Sequence, residues 1–139
     1  MSWFYWALLS ALFAGMTAVL GKVGVKDVDS NVATAIRTVV MLVFTWAVAL
    51  TLAGRAAVAS VPRKALLFMV LSGLAGGASW LCYYRALQVG KASQVAPVDK
   101  LSVVVAMALA VLFLGERLTW QQWLGGGLIV SGAVVLART

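Results

Sequence analysis

Asp99, Lys100 and Ser102 lie within one helical turn at the head of a long apolar run. No other hydrophobic span in the sequence brings a carboxylate, an ammonium and a hydroxyl so close together. Asp99 and Ser102 stand at i, i+3 and share a helix face, whereas Lys100 points about 100° away. Such a group can bind a polar solute through charge and hydrogen bonds, and a carboxylate there can couple binding to proton uptake. Charges at the mouth of a span are costly in hydrocarbon unless they are solvated, paired or functional. For Asp99 the structural alternative is a carboxylate favoured by a helix N-terminus and paired with Arg85 or Lys100.

Three further residues are weaker candidates for contact with a solute. Arg37 sits one to two turns inside an apolar run, where it either snorkels to the headgroups or lines a polar cavity. Trp80 and Tyr84 share a face at i, i+4 and form either an aromatic belt or a stacking wall. Glu116 and Arg117 more simply fasten a turn between two spans.

The remaining inventory argues against catalysis. The chain has four carboxylates, one cysteine and no histidine. Asp99 and Glu116, if on one helix, are about 25 Å apart, too far for an acid/base pair. Asp27 and Asp29 fall in a connector beside Lys26, where solvation is expected. Cys82 alone builds neither a disulfide within the chain nor a zinc site. The reading is therefore no enzyme, no metal and no cofactor.

The elements that must position these residues are apolar helices. Of 139 residues, 63% are hydrophobic and 11% charged, with a mean hydropathy of +1.01. A soluble domain is nearer a quarter charged. The net charge of +7 is spread through short connectors and suits anionic headgroups rather than nucleic acid. Apolar runs and breakers give five spans, at about 3–21, 32–53, 64–87, 95–114 and 120–137, in a single all-α membrane domain covering 1–139. Trp3 and Trp6 read as interface anchors opening a retained first span, since the N-terminus lacks a basic leader region. Ala7, Ala11 and Gly15, and Ser72-Gly73 with Gly76-Gly77, form small-residue stripes where helices can approach closely. Ser30 or Asn31 is the expected cap of the second span. Pro97 suits the first turn of the fourth, and Thr119 with Gln122 matches a capping box for the fifth.

Five spans place the termini on opposite faces. Connector charges then tie at four each: Arg55, Arg63, Lys64 and Arg117 against Lys22, Lys26, Lys91 and Arg138. Adding the intrahelical Arg37, Arg85 and Lys100 gives seven against four, so the orientation signal is weak. A chain that inserts both ways would carry such a signal.

The run ALQVGKASQVAPVDKLSVVVAMALAVLFLGERLTWQQWLGGGLIVSGAVVL resembles the second part of an EamA-type repeat of the drug/metabolite transporter superfamily. The motif order is Ala86-Leu87, Gly90-x-Ala92-Ser93, Ala96-Pro97 and Leu114-Gly115-Glu116-Arg117-Leu118. The resemblance is strongest from Tyr84 to Leu136, and the first half fits by span count and the Gly21-Lys22 pair. Members typically have ten helices in two inverted five-helix repeats, with the substrate cavity between them. The resemblance therefore implies one EamA-like repeat that works as a homodimer, antiparallel if it copies the ten-helix arrangement. It implies a secondary transporter, an exporter of a small metabolite or drug-like solute, in the bacterial inner membrane among its lipids. The alternatives are a lipid-linked sugar flippase subunit and a non-transporting membrane partner subunit. The small four-helix relatives use a glutamate in span one, and Trp3 to Leu20 here has no acid, so that mechanism does not carry over.

Overall fold

The computed structural model describes residues 2–138. Among them the chain forms seven helices and no strand: α1 (Trp3–Gly24), α2 (Ser30–Leu52), α3 (Gly54–Ala59), α4 (Arg63–Val89), α5 (Ala92–Asp99), α6 (Ser102–Leu114) and α7 (Trp120–Ala137). Four segments are long and apolar enough to cross a membrane: α1, α2 continued by α3 to Ala59, α4, and α5 with α6 from Ala92 to Leu114. The 18-residue α7 is a further long helix, with a hydropathy lowered by Gln121 and Gln122 in its first turn. The all-helical class expected from the sequence is observed, with four to five helices suited to a bilayer. Large apolar side chains point outward on many helices, with Met69 69% and Leu112 74% exposed. Helices this apolar on their outer faces belong in lipid.

By internal contact the chain divides into two units, Met1–Lys22 with Val89–Thr139, and Val23–Gln88. In the first unit α7 packs against α5 and α6. Gly126 is buried there because a Cβ at that position would lie 3.3 Å from Met107 Sδ and 3.9 Å from Val104 Cγ2. The α1 residues that are covered are Ala14, Thr17, Ala18, Gly21 and Lys22, the first four at i, i+3, i+4 and i+7. Ala7, Ala11 and Gly15 are exposed, so the covered stripe begins further along than the small-residue pattern suggests. Lys22 Nζ donates to the Gly90 carbonyl at 2.8 Å, satisfying an acceptor where a helix has just ended.

The proline of the fourth apolar segment acts differently from expectation. The helix begins at Ala92, not near Val95, so Pro97 lies inside α5 rather than in its first turn. A proline there has no N–H to give and its ring crowds the carbonyl four residues back. Downstream the chain tightens: Lys100 and Leu101 N–H groups bond Pro97 and Val98 carbonyls, and Val103 and Val104 bond Lys100 and Leu101. These i→i−3 bonds make a single 3₁₀-like turn between α5 and α6. At the far end Gly115 takes φ +67, and the N–H groups of Gly115 and Glu116 both reach the Ala110 carbonyl. Thr119 and Gln122 form the expected capping box, with Thr119 N–H donating to Gln122 Oε1 at 2.7 Å.

The second unit starts from a cap that differs from the sequence reading. Asp29, not Ser30 or Asn31, caps α2, its Oδ1 accepting the N–H groups of Asn31 and Val32 at 2.9 and 3.3 Å. A carboxylate there satisfies orphan donors and also meets the positive end of the helix dipole. Ser30 becomes the first helical residue and is buried. Between the second and third expected spans the chain forms the short α3, entered through Gly54 at φ +79. Threonine hydroxyls along α2 donate to carbonyls one turn back: Thr34 to Ser30, Thr38 to Thr34, Thr45 to Met41 and Thr51 to Ala47, at 2.7–2.8 Å. In hydrocarbon such internal bonds replace the water that the hydroxyls would otherwise need.

The Gly126 contact is directly testable. Gly126→Leu should destabilise the detergent-solubilised protein by about 1–3 kcal/mol through overpacking. Adding Met107→Ala should restore a substantial part of that loss in a thermal-unfolding measurement, because Met107 is the neighbour displaced.

Candidate functional site

Three of the six residues singled out in the sequence meet inside the second unit. The Asp29 cap fixes the start of α2, and Arg37 follows eight residues later, about 12 Å along the helix. On α4, Trp80 and Tyr84 stand one turn apart, half-buried and buried respectively. The Arg37 guanidinium carbon lies 3.5 Å from the Trp80 ring centroid and 6.0 Å from that of Tyr84. The first distance is a close face-on stack, and the second lies at the edge of useful attraction. An indole on α4 thus holds the Arg37 charge.

The platform is itself braced. Tyr83 meets Trp80 edge-on at 5.4 Å, and Tyr84 is tilted against Trp80 at 5.9 Å. One turn further along α4, Gln88 Nε2 donates to the Val28 carbonyl at 3.1 Å and Gln88 Oε1 accepts from Arg85 Nη1 at 2.7 Å. Arg85, a possible partner for Asp99 on sequence grounds, is thus engaged by its own helix. Gln88, Ser30 and Thr34 were not singled out as site residues. A signal for them exists, since Trp80, Tyr84 and Gln88 recur every four residues and Ser30, Thr34 and Arg37 at four and three. That spacing puts each set on one helix face.

The other three candidates lie in the first unit. Asp99 closes α5 and is half-buried, and Lys100 Nζ sits 3.4 Å from its Oδ2. Of the two partners open to Asp99 on sequence grounds, Arg85 and Lys100, the contact is with Lys100. The contact is long, and both side chains remain substantially exposed, so it adds little stability. Ser102 opens α6 and is exposed. Among the described residues there is no group of three His, Cys, Asp or Glu side chains that could hold a metal ion.

An arginine held on an aromatic ring inside an apolar span suits recognition of a solute rather than bond chemistry. The EamA-like transporter family profile matches residues 1–138. The chain belongs to the EamA-like transporter family. Over 136 residues it is 51% identical to an uncharacterized transporter in the cobO 3′ region of Sinorhizobium sp., covering 98% of this chain and 96% of the relative. It is also 36% identical over 75 residues to an uncharacterized protein of Methanocaldococcus jannaschii, covering 54% of this chain and 55% of that one. No solved structure matches the chain. As an EamA-like protein it is an integral membrane transporter of the drug/metabolite type rather than an enzyme.

The stack in this EamA-like chain should appear as coupling between its two members. Trp80→Ala and Arg37→Met, singly and together, form a double-mutant cycle read by thermal unfolding. A coupling of about 1–2 kcal/mol is expected for a partly desolvated cation–π pair. Trp80→Phe should retain part of it.

Proposed function

We propose that this chain is a secondary transporter that exports a small metabolite or drug-like solute across the bacterial inner membrane. It works as a homodimer of five-span subunits, each a single domain, with the substrate cavity between the two copies. The observation that carries this reading is Arg37 seated on Trp80 about two turns inside an apolar span of a transporter-family chain. A charged group within a span is by default a candidate for the solute pathway. Candidate solute contacts form two sets, Arg37, Trp80 and Tyr84 in one unit and Asp99, Lys100 and Ser102 in the other.

The dimer follows from repeat logic. Repeat-built transporters place their sites at the interface of two repeats, and one copy supplies half of such a cavity. The Sinorhizobium relative is matched over 96% of its own length, so that relative has about the length of one repeat. Gly73, Gly76 and Gly77 on α4 have no neighbour within 4 Å of an added Cβ. With Ala7, Ala11 and Gly15, they leave smooth faces free for close approach by another helix. The four-to-four tie in connector charge favours an antiparallel pairing of chains inserted in both orientations.

Topology and site separate experimentally. Ala57→Lys with Ala59→Lys, or Asp27→Lys with Val28→Lys, should each bias insertion to one orientation. Each pair alone should lose export, scored as resistance across a panel of toxic solutes, and co-expression should restore it. Full activity of either biased pair alone rules out the antiparallel arrangement. For the site, Asp99→Asn should reduce transport of an identified solute at least about tenfold, the effect of roughly 1.4 kcal/mol. Melting temperature and oligomer should not change. Retained transport with a lowered melting temperature would assign Asp99 to the scaffold.

A further inference from the structure

Arg37 carries more charge than its surroundings answer. Its guanidinium has five N–H donors in one plane, and stacking on Trp80 covers a face of that plane without using the donors. Among the described residues, no ion pair or hydrogen bond engages those N–H groups. Asp29, a carboxylate on the same helix, lies about two turns away and its Oδ1 is committed to the α2 cap. The hydroxyl protons of Thr34 and Thr38 go to helix carbonyls. A half-buried guanidinium with free in-plane donors matches a carboxylate or phosphate, which it binds through two parallel hydrogen bonds.

The same geometry disfavours the opposite charge. A cationic solute normally seeks the face of a tryptophan, and here Arg37 occupies a face of Trp80 and repels a second cation. With 11 basic side chains against four carboxylates, the field of the whole chain also draws anions. The half-buried Trp80 adds flat apolar surface beside the donors.

We infer that Arg37 on its Trp80 platform is an oxyanion site, and that the transported solute is an organic anion bearing a carboxylate or phosphate beside a flat apolar group. This rests on the transport reading above. The same chemistry is offered by an anionic lipid headgroup, so the test separates the two sources.

The full chain in phosphatidylcholine nanodiscs is melted with benzoate or with uncharged benzamide, and separately in discs containing phosphatidylglycerol. Benzoate at about 100 times its Kd should raise the melting temperature by about 9 °C, and benzamide should not. Arg37→Met should erase the shift. Arg37→Lys, which keeps the charge but not the fork, should need roughly tenfold more benzoate. A shift with phosphatidylglycerol alone, erased by Arg37→Met, keeps the anion site but overturns its assignment to the transported solute. No shift in either arm, or an equal shift in Arg37→Met or Arg37→Lys, overturns the site. Export of a cation by a protein without anion response leaves the transport reading standing and removes this inference. Anion binding by a protein that moves no solute keeps the Arg37 oxyanion site and overturns both the transport reading and the assignment of the anion as transported solute.

Discussion

A helix in hydrocarbon must satisfy its polar groups from within, because each one left unpaired costs several kcal/mol. Much of the local structure in this chain answers that constraint. Asp29 closes the open start of α2, and the Thr119–Gln122 box does the same for α7. Threonine hydroxyls are returned to their own helix, and Lys22 serves the carbonyl exposed where α4 has ended. Even the disturbance at Pro97 is repaired within a turn by i→i−3 bonds. The backbone continues in the right-handed region through Lys100 and Leu101. The span is tightened there, not unwound.

Against that background of internal satisfaction, Arg37 stands apart. Its charge is stabilised by the quadrupole of an indole, which leaves the hydrogen-bonding edge unspent. A salt bridge would have neutralised the residue and made it scaffold. The aromatic platform instead holds the guanidinium in place and keeps its donors open. The Asp99–Lys100 contact is a weaker kind of pairing between sequence neighbours at an exposed turn. The two charged sites thus differ in burial and in how their charge is answered.

Small residues play two different roles along the chain. Gly126 is a close-approach position, with Met107 and Val104 where its side chain would be. Gly54 and Gly115 serve the backbone, at positive φ where a Cβ would be strained. Gly73, Gly76, Gly77, Gly127 and Gly132 meet nothing within 4 Å. The sequence pattern that marks a packing face is the same in all of these cases, because it records the absence of a side chain and not the presence of a neighbour.

Composition and breaker spacing alone determined an all-helical membrane class, because a chain this apolar must bury its backbone polarity in helices. The Thr119 box was legible too, since its two residues lie within one turn and their geometry is local. So was the shared face of Trp80 and Tyr84, which helix periodicity fixes. The cap at Asp29 and the start of α5 at Ala92 were misjudged by a few residues because several side chains competed for each role. What the tertiary structure decided was which faces meet. It covered Ala14, Thr17, Ala18 and Gly21 in place of the more obvious stripe, and set Arg37 on Trp80, 43 residues away in sequence. Periodicity assigns a residue to a face, but the partner of that face depends on packing between distant segments, which no local pattern encodes.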